Sequence, residues 1–181
     1  MPIFSSDSPT IQDPFDPYVA RVLHEARARL GQEEVGENQG AIVREVCAPF
    51  LPPERFEREY ARGNLLWCAA FAGYCWWLAW PDFRRYLSLE AQVMWDRLTD
   101  AGWTRVRGLG DLPQPGDLIF RRHRNAPKIR HVELVTEVGK VVHTIGGNRN
   151  DQGSPGIVAE GHYSLDDVLT VGYATPQPPR T

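Results

Sequence analysis

The chain has 181 residues, close to the length of one ordinary domain. Its 20 Lys+Arg against 23 Asp+Glu give a net charge of −3, which excludes a protein held to nucleic acid by bulk charge. Apolar residues at 42% exclude wholesale disorder, and three cysteines exclude a disulfide framework. Six tryptophans are many for this length, and they suggest a stacking surface or an aromatic-lined cleft, with core packing the plainer role for most of them.

Residues 1–16 are rich in Ser, Asp and Pro and read as a flexible N-terminal arm. Asp16-Pro17 opens a helix, with Asp as N-cap and Pro in the first turn; Val19, Val22, Leu23, Ala26 and Leu30 keep helical spacing to Gly31. A polar connection, 33–40, leads to a short helix over 42–50, stopped by Pro52-Pro53. Residues 54–62 form one or two charged helical turns. Leu65 to Ala79 is an apolar core helix, too short to span a bilayer. Phe83 to Ala101 reads as one amphipathic helix closed by Gly102. After Gly102 the period changes. Strands are predicted over 104–107, 117–121, 131–138, 141–145, 157–159 and 169–174. Helices followed by antiparallel strands give an α+β layout of N-terminal helices packed on a sheet. Residues 17–176 form a single domain, and 177–181 a tail.

Cys68 lies near the start of the apolar helix. The positive end of the helix dipole lowers a thiol's pKa and favours the thiolate that a nucleophile needs. The plainer reading is an inert buried cysteine, and Cys47 and Cys75 are read as such. No CxxC spacing occurs, so a zinc site is not expected; nor is any other metal or organic cofactor implied. Of five histidines, His131 opens a strand at a sheet edge. Gly139-Lys140 predicts a two-residue type II′ hairpin turn, which sets Val138 opposite Val141 and His131 opposite Asn148. The Asn148 amide would then orient the imidazole, as the third member of a triad must. A turn one residue longer would slip this pairing. Glu133 shares the His131 face and would lie across from Gly146. Cys68, His131 and Asn148 are therefore the catalytic candidates, with Glu133 as an accessory.

These segments resemble the CHAP (cysteine, histidine-dependent amidohydrolase/peptidase) class of bacterial and phage cell-wall hydrolases. Residues 30–38, Trp67-Cys68-Ala69-Ala70-Phe71, Pro115-Gly116-Asp117, Arg130-His131-Val132 and Thr144-Ile145-Gly146-Gly147-Asn148 carry the resemblance, which spans about 20–175. It implies a papain-like, NlpC/P60-type fold, with Cys68 as nucleophile, His131 as base and Asn148 as orienting residue. The implied substrate is a peptidoglycan amide: the muramoyl–L-alanine bond, or a stem or cross-bridge peptide bond. The chain departs from the family pattern at three places. Gly146 stands where many members carry Glu, so Glu133 is expected to supply that carboxylate from the neighbouring strand. Arg130 stands where many have Gly. Trp67 stands where many have Gln on the oxyanion side, which makes it a second accessory candidate. The Asp cluster of calcium-binding relatives is not evident.

The basic loop from Arg121 to Arg130 suits acidic stem-peptide carboxylates or anionic wall polymer; a solvated loop is its plainer reading. The N-terminus carries no signal-peptide pattern, so synthesis in the cytoplasm and action at the wall after release or delivery are expected. Partners are then peptidoglycan and an immunity protein or delivery system, with no nucleic acid and no membrane span. Two other readings stay open: a non-catalytic wall-binding module on the same fold, and a cysteine hydrolase or transferase acting on a non-wall amide or ester.

Overall fold

The computed structural model describes residues 16–108, 112–149 and 155–179. Of the expected N-terminal arm only Asp16 lies within this range, and of the tail only residues 177–179.

Helix α1 (Pro17–Arg27) starts as expected, with the Asp16 carboxylate accepting from Tyr18 N at 2.8 Å. Its Val19, Val22, Leu23 and Ala26 are buried, and it packs on α4. Helix α2 (Ala41–Cys47) runs into a 3-10 turn, Ala48–Phe50, and α3 (Pro53–Ala61) follows the two prolines. Helix α4 begins at Cys68 rather than Leu65 and ends at Ala79. It is apolar on all sides and almost wholly buried, the state such a helix requires.

The single helix expected over 83–101 is two elements. A 3-10 segment, Pro81–Tyr86, is followed by α5, Ala91–Asp100. Between them the Ser88 hydroxyl accepts from Glu90 N at 3.0 Å, a local side-chain turn that competes with the helical ladder.

Six antiparallel strands form one sheet in the order β1-β6-β2-β3-β4-β5. They are β1 (Thr104–Val106), β2 (Leu118–Arg122), β3 (Ile129–Val138), β4 (Val141–Arg149), β5 (Ile157–Ser164) and β6 (Thr170–Ala174). Helix α4 lies against β3 and β4, two neighbouring interior strands that carry His131, Glu133 and Asn148. The layout is the expected α+β one.

The β3–β4 hairpin differs from expectation in a way that matters for the site. Val138 pairs with Val142, not Val141, so the turn is one residue longer. Gly139 does not take the positive φ that a type II′ turn demands. A bulge at Thr136 absorbs the extra residue, and Val135↔Thr144 and Leu134↔Ile145 return to the predicted alignment. Beyond Gly146 a second irregularity, between β4 and β5, carries Asn148 into a left-handed conformation with φ 54°. Asparagine tolerates that region because its short polar side chain bonds locally.

The tryptophans belong to the core, not to a cleft. Trp67 and Trp76 are fully buried, and Trp80 packs on Trp103 and Phe83. Trp95 meets Phe120 edge-on. The aromatic-lined cleft expected from composition is absent among the described residues, because these rings fill the layer between helices and sheet.

Candidate active site

Cys68 is the first residue of α4, and Trp67, its N-cap residue, offers no side-chain cap. The first-turn N–H groups thus have no partner within the helix. Trp67 is instead an anchor. Its Nε1 donates to Glu34 Oε2 at 2.9 Å, tying the 31–40 loop to the start of α4. A Cβ on Gly147 would come within 2.7 Å of the Trp67 ring, so β4 can pass this close only with glycine there.

The Cys68 thiol is 5% exposed and faces the Arg130 carbonyl at 3.8 Å, with the His131 imidazole beside it. Burial alone would raise this thiol. The His131 charge and hydrogen bond, with backbone N–H groups of Val132 and Ala69, outweigh burial and hold it below its ordinary value. Burial pushes the Cys47 and Cys75 thiols far up, so neither is a nucleophile at neutral pH.

His131 uses its other side for a carboxylate. Its Nε2 lies 2.7 Å from Glu133 Oε1, which leaves Nδ1 as the ring nitrogen for the sulfur. Burial would lower the His131 pKa, but the Cys68 and Glu133 charges raise it to about 10. The geometry favours a thiolate–imidazolium pair.

Glu133 is fully buried and densely held. Arg149 Nη1 donates to both its oxygens, at 3.0 and 2.9 Å, and Tyr163 OH donates at 2.7 Å. The Thr144 hydroxyl donates to Oε2. Burial opposes the charge, yet His131, Arg149 and Thr144 together hold the carboxyl near 2, well below the usual 4.5. Two glycines make the room. A Cβ on Gly146 would sit 2.6 Å from Glu133 Cγ, and one on Gly161 would occupy the place of the Arg149 guanidinium.

Asn148 makes no hydrogen bond to His131 in this structure. Its Nδ2 reaches Asn38 Oδ1 at 3.5 Å, and Asn38 in turn donates to the Gly63 carbonyl at 2.9 Å. The predicted His131–Asn148 pairing fails because the β3–β4 ladder runs only to Leu134↔Ile145, and the turn of the chain at Asn148 aims its amide at the 31–40 loop. Arg149 and Tyr163 were not expected here, because they lie beyond the strand ends expected at 145 and 159; Thr144 belongs to the closing motif, but its spacing gave it no role.

Cys68, His131, Glu133 and Asn148 line an open cleft of about 770 Å³. No tryptophan lines it among the described residues; Tyr163 is its aromatic ring. No group of three or more His, Cys, Asp or Glu among the described residues is arranged to hold a metal ion.

The family model of the CHAP domain matches residues 59–148, from the end of α3 through Cys68 and His131 to Asn148. The chain carries a CHAP domain. Such domains are cysteine/histidine-dependent amidohydrolase/peptidase domains of the papain-like class, so the α+β layout is the papain-like one. Among solved structures, the crystal structure of Ly7917 is similar in fold, with a TM-score of 0.53 and 18% identity. That match covers 87% of this chain and 62% of Ly7917. No curated protein sequence matches the chain. Outside the CHAP match, β5 and β6 complete the sheet, and Tyr163 on β5 reaches back to Glu133. No helix among the described residues is long and apolar enough to cross a membrane.

Proposed function

We propose that this CHAP domain hydrolyses an amide bond of bacterial peptidoglycan, with Cys68 as nucleophile, His131 as general base and acid, and Glu133 as the residue that positions His131. The observation that carries this reading is the His131 ring itself, held by the buried Glu133 carboxylate on one side and set beside the Cys68 sulfur on the other, at the floor of an open cleft. The Cys68 proton passes to His131. The thiolate attacks the amide carbonyl, and the oxyanion is received by backbone N–H groups at the start of α4, each such donor worth on the order of 3 kcal/mol. His131 gives its proton to the leaving amine as the C–N bond breaks. Water, activated by His131, then cleaves the thioester to a carboxylic acid and regenerates the thiol. Glu133 fixes the ring and stabilises its charge without itself taking up the proton.

The site of action proposed is the cell wall. Digestion of purified sacculi by the wild type and by Cys68→Ala, with fragments identified by mass spectrometry, tests the reading. New amine ends released by the wild type and not by the variant support it, and the fragment masses name the bond. Binding of sacculi without cleavage by the wild type would make this a wall-binding module instead. Intact sacculi with no binding would move the chemistry to a different amide.

A further inference from the structure

The cleft wall is cationic in a protein whose net charge is −3. Five arginines line it, and two are committed. Arg149 is bound to Glu133, and Arg121 pairs with Asp167 at 2.6 Å while stacking 3.6 Å over the Tyr163 ring. Arg122, Arg124 and Arg130 are exposed and make no ion pair among the described residues. All three belong to the β2–β3 hairpin. Arg122 ends β2, Arg124 sits in the turn, and Arg130 directly precedes His131. His123 lines the cleft between the first two. Three unneutralised guanidinium groups along one wall repel one another, and an anion placed among them relieves that repulsion. The planar fork of arginine fits a carboxylate through two parallel hydrogen bonds.

We infer that the cleft selects an acidic peptide, one that carries a free carboxylate on the β2–β3 side of the scissile amide. This rests on the proposed amide hydrolysis, which makes the substrate a peptide and its anionic group a carboxylate. The arginines line the same cleft as Cys68, and Arg130, whose carbonyl faces the thiol, directly precedes His131, so the carboxylate belongs to a residue near the cleaved bond. Full ionisation of the Cys68–His131–Glu133–Arg149 group leaves it with no net charge, so the three arginines set the field that a substrate meets.

The test uses muropeptides of defined structure, each with its carboxylates free or converted to primary amides. The wild type and Arg122→Gln/Arg124→Gln are compared by kcat/KM. Arg130 stays native because its carbonyl faces Cys68. The same pairs are bound to Cys68→Ala by fluorescence anisotropy. The expected wild-type preference for the free acid is about tenfold, falling toward unity in the double variant and with rising salt. Equal rates on both forms would overturn the inference and leave the hydrolase reading intact. The same result, with the double variant slower only on wall still bearing phosphate polymer, would overturn it by reassigning the arginines to polymer phosphate. If neither form is cleaved, the peptidoglycan reading falls and binding decides: tighter binding of the acid sustains the acidic-peptide site, and equal or absent binding ends it.

Discussion

Glu133 on β3 and Asp117 just before β2 are both fully buried carboxylates that accept from an arginine and a threonine, yet their surroundings shift them in opposite directions. Burial pushes Asp117 from 3.8 up to about 6. Thr175, Arg105 and the Gln114 N–H offset only part of that, and the Arg105 side chain is itself 26% exposed. Glu133 has two cationic neighbours, His131 and Arg149, and two hydroxyl donors, and falls to about 2. One arginine does not offset the burial of Asp117, whereas an imidazolium and a guanidinium together more than offset that of Glu133. Asp117 ties β2 to Arg105 on β1 and to Thr175 beyond β6. It is a strut, although it sits in the Pro-Gly-Asp motif that carries part of the family resemblance. Glu133 points its charge at a reactive ring.

The difference can be broken by substitution. Glu133→Gln is expected to lower kcat/KM by roughly 10²–10⁴-fold, the scale of losing the carboxylate that orients a catalytic histidine. In that variant the basic limb of the pH–rate profile moves to lower pH, because the carboxylate no longer helps hold the imidazolium whose wild-type pKa lies near 10. An unmoved basic limb, read by stopped assays across the alkaline range, would reduce Glu133 to a structural group. Gly146→Ala forces a Cβ against Glu133 Cγ and displaces the carboxylate without removing it. Activity is expected to fall about 10²-fold, the cost of an ångström-scale misplacement.

Asp117→Ala should act on stability alone. It strands Thr175, the Gln114 N–H and Arg105, for about 2–4 kcal/mol in denaturant unfolding, with kcat/KM per folded molecule nearly unchanged. The pH signs follow from the two shifts. Asp117 has a raised folded value, so its contribution is complete below 3.8 and lost as pH rises through about 6; Asp117→Ala removes that slope. Glu133 has a depressed value, so its contribution is present above 4.5 and lost as pH falls through about 2. The smallest effect expected is that of Asn148→Gly, which keeps the left-handed backbone and deletes the amide. Its kcat/KM should stay within about threefold of wild type, since the amide bonds Asn38 rather than His131. A loss as large as that of Glu133→Gln would restore Asn148 as the orienting residue.

Much of this was legible in the chain. The caps and breakers around Asp16, Pro52-Pro53 and Gly102 set element ends within a few residues, because these act through local backbone geometry. The strand period put His131 and Glu133 on one face. The helical period over 83–101 runs across a break, because Ser88 interrupts the helix through a side-chain turn that periodicity does not register.

The sequence by itself determined the α+β order, the cysteine at a helix start, the histidine near the start of a strand and the CHAP resemblance, all consequences of local pattern. Only the tertiary structure decided which residue stands behind His131. That choice depends on a bulge at Thr136, the end of a ladder before Asn148, and the spaces left by Gly146 and Gly161. Each is fixed by how strands meet rather than by any one strand. A carboxylate can enter a buried space only where missing side chains leave volume and charged partners offset its lost hydration, and both conditions come from residues distant in the chain.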